Sequence, residues 1–346
     1  MNIFQRALIL IISIPALSMS FAPIALSQES EGLGINFGED WKKMKPKMEG
    51  SAKVYSEAWR TKWPEMEELR ITKISDNIHM IDGAGGTIGI FTGPDGALLI
   101  DSGHYRVLES RLFPSVEKIA GNKLVRYVIN THGHGDHGAG NTHYAKLGAI
   151  AISHKMTRDE YANPPSHYPP VPEKGLPVIT FNDRANLQFN DQTIELIHAP
   201  FGHSRSDVIV YFAEENVVHT GDIFVPHGYT SVAGMYREPK GSSWGLIEAQ
   251  EMVLALGDDE TKFITGHAAG IVGTRDELER THQVLVETVE KIQNGIDAGM
   301  SLEEIIATKP AKIDYTWPGM TAERTVDVLY YGIVGDPPES RRRSRK

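Results

Sequence analysis

Residues 131–138 read Thr-His-Gly-His-Gly-Asp-His-Gly, so that His132, His134, Asp136 and His137 crowd one short stretch. Three imidazoles and a carboxylate so closely spaced cannot all be core. Neutral imidazole nitrogen and carboxylate oxygen are the donors that a borderline cation such as zinc prefers near neutral pH. The interleaved glycines let a tight loop aim alternate side chains at different points. A site held by one loop would be incomplete, so further donors are expected at the ends of other elements. His203 stands in Pro-Phe-Gly-His-Ser (200–204), Asp222 in His-Thr-Gly-Asp (219–222) and His267 in Thr-Gly-His (265–267). Each follows an apolar run and each lies beside a glycine. Singly, a histidine at such a place is an ordinary polar residue; the repeated arrangement makes the seven one ligand set.

The elements that must carry these donors are short. Apolar runs at 78–81, 87–91 and 97–100 are separated by Gly-Ala-Gly-Gly (83–86) and Gly-Pro-Asp-Gly (93–96), the rhythm of a β-meander. A helical segment over 106–120 leads into a strand over 124–129, which delivers the histidine-rich loop to the start of another helix. The pattern predicts further strands at 149–153, 193–198, 208–212, 217–220 and 262–265, with helices near 243–256 and 277–298. Strands interleaved with helices imply an α/β protein whose sheets are covered by helices. Residues 163–177 hold six prolines and read as a long loop bordering a site, with His167 and Tyr168 on it. No internal repeat is present.

The seven-residue set, together with Asp101 in Leu-Leu-Ile-Asp-Ser-Gly (98–103), resembles the metallo-β-lactamase-fold superfamily over residues 71–270. The resemblance implies an αββα sandwich, two mixed β-sheets with helices on the outer faces. It also implies two zinc ions per chain: one on His132, His134 and His203, the second on Asp136, His137 and His267, with Asp222 bridging. Asp101 would orient the ligand loop from behind. The chemistry that follows is attack on a carbonyl by a metal-bridging hydroxide, with Asp136 or Asp222 relaying the proton. A small cyclic amide or ester, of β-lactam or lactone type, is the expected substrate.

The cysteine-bearing lactamases carry a thiolate where this chain has Asp222, and this chain has no cysteine. The histidine-rich lactamases lack the bridging aspartate too. The full set is therefore more similar to glyoxalase II, lactonases and related dinuclear hydrolases. A glyoxalase II-like thioesterase, an iron-dependent sulfur dioxygenase and a non-enzymatic metal- or partner-binding protein stand as alternatives. An exported chain disfavours the first, and an intact ligand set disfavours the last. His227 and Tyr229, and His104 after the Asp101 turn, are candidate substrate or oxyanion contacts. His79, His143, His154, His198, His219 and His282 follow no ligand pattern and are read as structural.

Composition narrows the partners. A formal net charge of −10 over 346 residues argues against a nucleic-acid surface, which needs clustered Lys and Arg. The basic run 341–346 reads as a solvated tail. The absence of cysteine removes disulfides and thiolate ligands. A basic start, an apolar run over 7–21 and Ala25-Leu26-Ser27 before Gln28 form the layout of a secretory signal peptide. The expected organisation is a signal peptide (1–27), an N-terminal extension (28–70), the metal-bearing domain (71–275) and a C-terminal helical extension with the basic tail (276–346). The mature chain is expected to be periplasmic or secreted, without stable membrane insertion. Ser301-x-x-Glu304 forms a capping-box pattern in the extension, which would pack on the body or on a second subunit of a homo-oligomer.

Overall fold

Two mixed β-sheets lie face to face in the computed structural model, which describes residues 69–104, 108–164, 170–225, 241–267, 270–311 and 321–335. The expected signal peptide, nearly all of the N-terminal extension, the basic tail, His167, Tyr168, His227 and Tyr229 lie outside the described residues. The first sheet runs in chain order: β1 (Arg70–Lys73), β2 (Ile78–Ala84), β3 (Gly86–Gly93), β4 (Gly96–Ile100), β5 (Val125–Asn130), β6 (Ile150–His154) and β7 (Ile179–Phe181). It is antiparallel as far as β4 and parallel from β4 to β7. The second sheet has β8 (Arg184–Phe189), β9 (Gln192–Ala199), β10 (Asp207–Phe212), β11 (Val217–Gly221) and β12 (Lys262–Thr265), antiparallel except for the last pair.

The central strands of both sheets are apolar on both faces because each face meets a different layer. In β10, Val208, Val210 and Phe212 enter the core between the sheets, while Ile209 turns to the helices behind. In β4, Leu98 and Ile100 point inward and Leu99 outward. The inner core also holds Ile78, Met80 and Phe91 from the first sheet and Ile194, Leu196 and Ile264 from the second. A helical layer closes each outer face, giving the α/β sandwich expected from the sequence.

On the first sheet that layer includes α1 (Phe113–Ala120). The sequence suggested a helix from residue 106. The regular α-helix begins only at Phe113, after a wider π turn over Leu108–Leu112. Pro114 explains the boundary, since a residue without an N–H is tolerated in a first turn and not in a helix interior. Three short helices surround the ligand loops: α2 (Gly135–Gly138), α3 (Asn141–Lys146) and α4 (Lys155–Ala162). Beyond the proline-rich stretch, residues 170–178 hold no regular element except one 3₁₀ turn at Glu173–Gly175.

The second sheet is covered by α5 (Ser243–Leu254), α6 (Arg275–Asp297), α7 (Leu302–Ala307) and α8 (Ala322–Val334). Leu278, Leu285, Val289 and Ile292 form the buried stripe of α6, and they pack with Ile305, Leu329, Phe263 and Val218. Capping boxes at Thr274–Glu277 and Ser301–Glu304 fix the starts of α6 and α7. Among the described residues no helix is long and apolar enough to cross a membrane.

Candidate metal centre

The parallel pairs β4–β5 and β11–β12 bring their C-terminal ends to one edge of the sandwich. Asp101 follows β4, and His132, His134, Asp136 and His137 follow β5. Asp222 follows β11, His267 follows β12, and His203 follows β9. Backbone hydrogen bonds lock the two sheets together here. Val208 N donates to Thr131 O at 2.7 Å, and Thr87 N donates to Gly266 O at 2.6 Å.

All seven donors expected from the sequence meet at this edge, in two groups. His132, His134, His203 and Asp222 form one, and Asp136, His137 and His267 the other; either group could hold a metal ion. In the first, His134 Nδ1 lies 2.9 Å from His132 Nε2 and 3.2 Å from His203 Nε2. Asp222 stands between the groups. Its Oδ2 is 3.3 Å from His203 Nε2 and 3.2 Å from His267 Nε2, and its Oδ1 is 3.5 Å from His137 Nε2. Asp136 Oδ2 closes the second group at 3.5 Å from His267 Nε2 and 3.8 Å from His137 Nε2. Among the described residues His137 Nε2 and Asp222 Oδ1 are buried with no hydrogen-bond partner. Buried polar atoms are ordinarily paired, so these two fit a cation, and the convergence of imidazole and carboxylate donors fits it equally.

The glycines beside the late donors are steric requirements. A Cβ on Gly266 would overlap Asp222 Oδ1, and one on Gly221, whose φ is +53°, would come within 2.9 Å of Thr131 Cβ. A Cβ on Gly86 would reach His137 Cε1 at 2.8 Å, so the turn between β2 and β3 must be bare to approach the ligand loop.

Asp101 fixes two tautomers. Its carboxylate can only accept, so the 2.7 Å contact from His137 Nδ1 to Oδ2 places the proton on Nδ1 and leaves Nε2 facing the other donors. Thr131 spends its hydroxyl proton on the same oxygen, 2.7 Å away. Thr131 Oγ1 therefore accepts from His132 Nδ1 at 3.1 Å, and His132 Nε2 is likewise freed. Thr131 N completes the clamp on Asp101 Oδ1 at 2.8 Å. Asp101 is wholly buried and held at φ +64°, a left-handed conformation that aspartate tolerates better than most residues.

The two groups differ in charge. Burial, reinforced by the imidazole of His137, holds His132 well below the usual histidine range. Burial and His203 bring His134 down to about 3. Burial also opposes charge on His137, but Asp222, Asp101 and Asp136 outweigh it and lift this histidine to about 10. His267 is raised in the same way, chiefly by Asp222 against its burial. Asp222, buried among four histidines, is held well below the carboxylate range despite desolvation.

Supporting residues outside the sequence motif also emerge. Ser204 donates from its N and Oγ to Asp207, at 2.8 and 2.7 Å, which pins the turn after His203. Tyr161 Oη donates to His132 O at 2.9 Å, and Glu160 accepts from Arg205 Nε and Ser206 Oγ, both at 2.7 Å. Only their place in a loop or helix next to a ligand could have signalled them. His104 packs against Gly85 on the side of Asp136. His219 is buried outside both groups, its Nδ1 accepting from Gly221 N at 3.2 Å. His154 and His198 stack, with ring centres 3.7 Å apart.

Comparison with known proteins agrees with this geometry. The family model described as the metallo-beta-lactamase superfamily matches residues 81–267, which begin in β2 and end on His267. This chain belongs to the metallo-beta-lactamase superfamily. Its sandwich is similar to that of a metallo-beta-lactamase from Pontibacter korlensis, with a TM-score of 0.51 and 18% identity over 63% of this chain and 99% of that one. The DIM-1 metallo-beta-lactamase gives 0.51 and 18%, over 64% and 98%. The stereoselective inverting sec-alkylsulfatase Pisa1 from Pseudomonas sp. gives 0.58 and 13%, over 78% of this chain and 51% of its own. The chain thus spans about half the length of the alkylsulfatase. At these identities the likeness is one of fold, and the fold and family are those of a hydrolase.

Proposed function

We propose that this chain is an exported hydrolase that holds two zinc ions and opens a cyclic amide or ester, of β-lactam or lactone type. The observation that carries the reading is the position of Asp222, whose two oxygens face imidazoles of both groups. The donor set of imidazole and carboxylate, without thiolate, suits zinc. When bound, two such ions lower the pKa of water and draw electrons from the bond under attack.

The residues divide the remaining work. The imidazoles of the first group are sealed, with side-chain exposures of 0% for His132 and 2% for His203, whereas Asp136 and His267 show 13% and 16%. Substrate therefore approaches from the side of Asp136 and His267. Asp136 stays a carboxylate there, because His137 and His267 lower its pKa against its burial, and it can accept a proton from attacking water. Asp222 holds the two groups in register.

A sulfate ester is the second reading, favoured by the larger share of this chain that the alkylsulfatase fold covers. Purified protein assayed with nitrocefin, a lactone, a thioester and a secondary alkyl sulfate, with its metals quantified, tests both. Turnover of the first or second substrate, lost on chelation and restored by zinc, is expected. Hydrolysis that survives exhaustive metal removal would sink the mechanism, and a single redox-active iron would favour a dioxygenase. Export is tested separately by N-terminal sequencing of the mature protein, which should begin at Gln28.

A further inference from the structure

The donors of the three-histidine group come from different sheets, His132 and His134 after β5 and His203 after β9. One backbone bond, Val208 N to Thr131 O, ties the first loop to the start of β10, just after the turn that carries His203. Helix α4 ties them a second time, because consecutive residues on it face opposite loops. Tyr161 Oη donates to His132 O at 2.9 Å. Glu160 takes Ser206 Oγ and Arg205 Nε from the turn after His203, and Thr157 Oγ1 reaches Ser206 O at 3.5 Å.

The helix fits closely against the ligand loop. A Cβ on Gly133, between His132 and His134, would overlap the Glu160 carboxylate, and one on Gly138 would overlap the Tyr161 ring. Glu160 and Tyr161 are only 3% and 2% exposed, so neither bond is one that solvent would readily replace. The second group receives no hydrogen bond from α4 among those described. Its supports include Asp101 at His137 Nδ1, Ser102 N and Asn130 Nδ2 donating to His137 O, and the bond from Thr87 N to Gly266 O beside His267.

We propose that Glu160 and Tyr161 are positioning residues for one ion only. By clamping the His132–His134 turn to the turn after His203, they set the spacing of the three imidazoles and hence the affinity of that group. Removing either bond loosens the first ion and leaves the second in place. This rests on the reading that the groups hold ions.

The test uses Tyr161→Phe, which keeps the ring against Gly138 and deletes only the hydroxyl, and Ser206→Ala, which cuts the same brace from its other end. Zinc affinities are measured by competition with a chromophoric chelator in two backgrounds. In His267→Ala the three-histidine group is intact, and in His203→Ala the Asp136–His137–His267 group is. Each brace variant is expected to weaken zinc about tenfold in the first background and to change it less than about twofold in the second. The visible absorption of cobalt-loaded protein should shift in the first background alone, a signature that general loosening of the fold would not confine to one ion. Equal weakening in both backgrounds, or none in either, overturns the proposal. Wild-type protein that binds no zinc would instead overturn the underlying reading, so the two failures are distinguishable.

Discussion

The three-histidine group and the Asp136–His137–His267 group share Asp222, yet they differ in burial, charge and support. The first is sealed, and burial keeps His132 and His134 uncharged, already in the form that binds a cation. The second is partly open at Asp136 and His267, and neighbouring carboxylates, against burial, lift His137 to about 10 and His267 above the usual histidine range. A cation at the second group would compete with protons more than one at the first.

Breaking the shared member should erase this contrast. Asp222→Ala removes a donor from both groups and leaves the histidines around it without their counter-charge. Even outer-shell partners of a metal cost about 10–100-fold in affinity when lost, so the expected loss exceeds that for both ions, and turnover should fall at least as far. Metal content after gel filtration, measured alongside kcat/KM, reads the effect. Retention of one tightly bound ion would show that the groups are more independent than their geometry indicates.

Asp101→Asn sharpens the comparison. The amide preserves the shape of the carboxylate but withdraws its charge from His137 Nδ1, which it touches directly, and acts on His132 only through Thr131. The ion of the second group should weaken by about 10–100-fold, with a smaller loss at the first. Isothermal titration with zinc resolves the two steps. An equal loss at both would mean that the relay through Thr131 matters as much as the direct bond.

The donors were legible in the sequence because each follows an apolar strand and stands beside a glycine. The glycines at 221 and 266 mark places where the Thr131 side chain and the Asp222 carboxylate come too close for a Cβ. The alternation of strands and helices announced an α/β protein with helix-covered sheets, since apolar runs of strand length need cover on both faces; the two-sheet sandwich itself came from the family resemblance. Glu160 and Tyr161 were not legible. They act through backbone carbonyls and a neighbouring turn, and no spacing rule reports a helix that meets two loops distant in sequence. The edge strands β7 and β8 also escaped. β7 is only three residues long, and β8 alternates polar and apolar positions with its polar side exposed.

Acid should expose the brace on the three-histidine side through a smaller effect. His154 caps the N-terminus of α4, its Nδ1 accepting from Met156 N at 3.3 Å, and it stacks on His198 of β9. Burial first, and then His198, bring His154 down to about 4. The unfolded chain, with this histidine near 6.5, then binds more protons than the folded one at intermediate pH. The contribution of the neutral ring is fully present above about pH 6.5 and declines as pH falls towards 4. Protonation also removes the lone pair that caps the helix. His154→Asn keeps a capping side chain that cannot titrate. Wild type should lose more melting temperature than the variant between pH 7 and pH 5, by roughly 2–4 °C for each kcal/mol of lost stability. Identical losses in the two proteins would show that the stacked pair is indifferent to protons over this range.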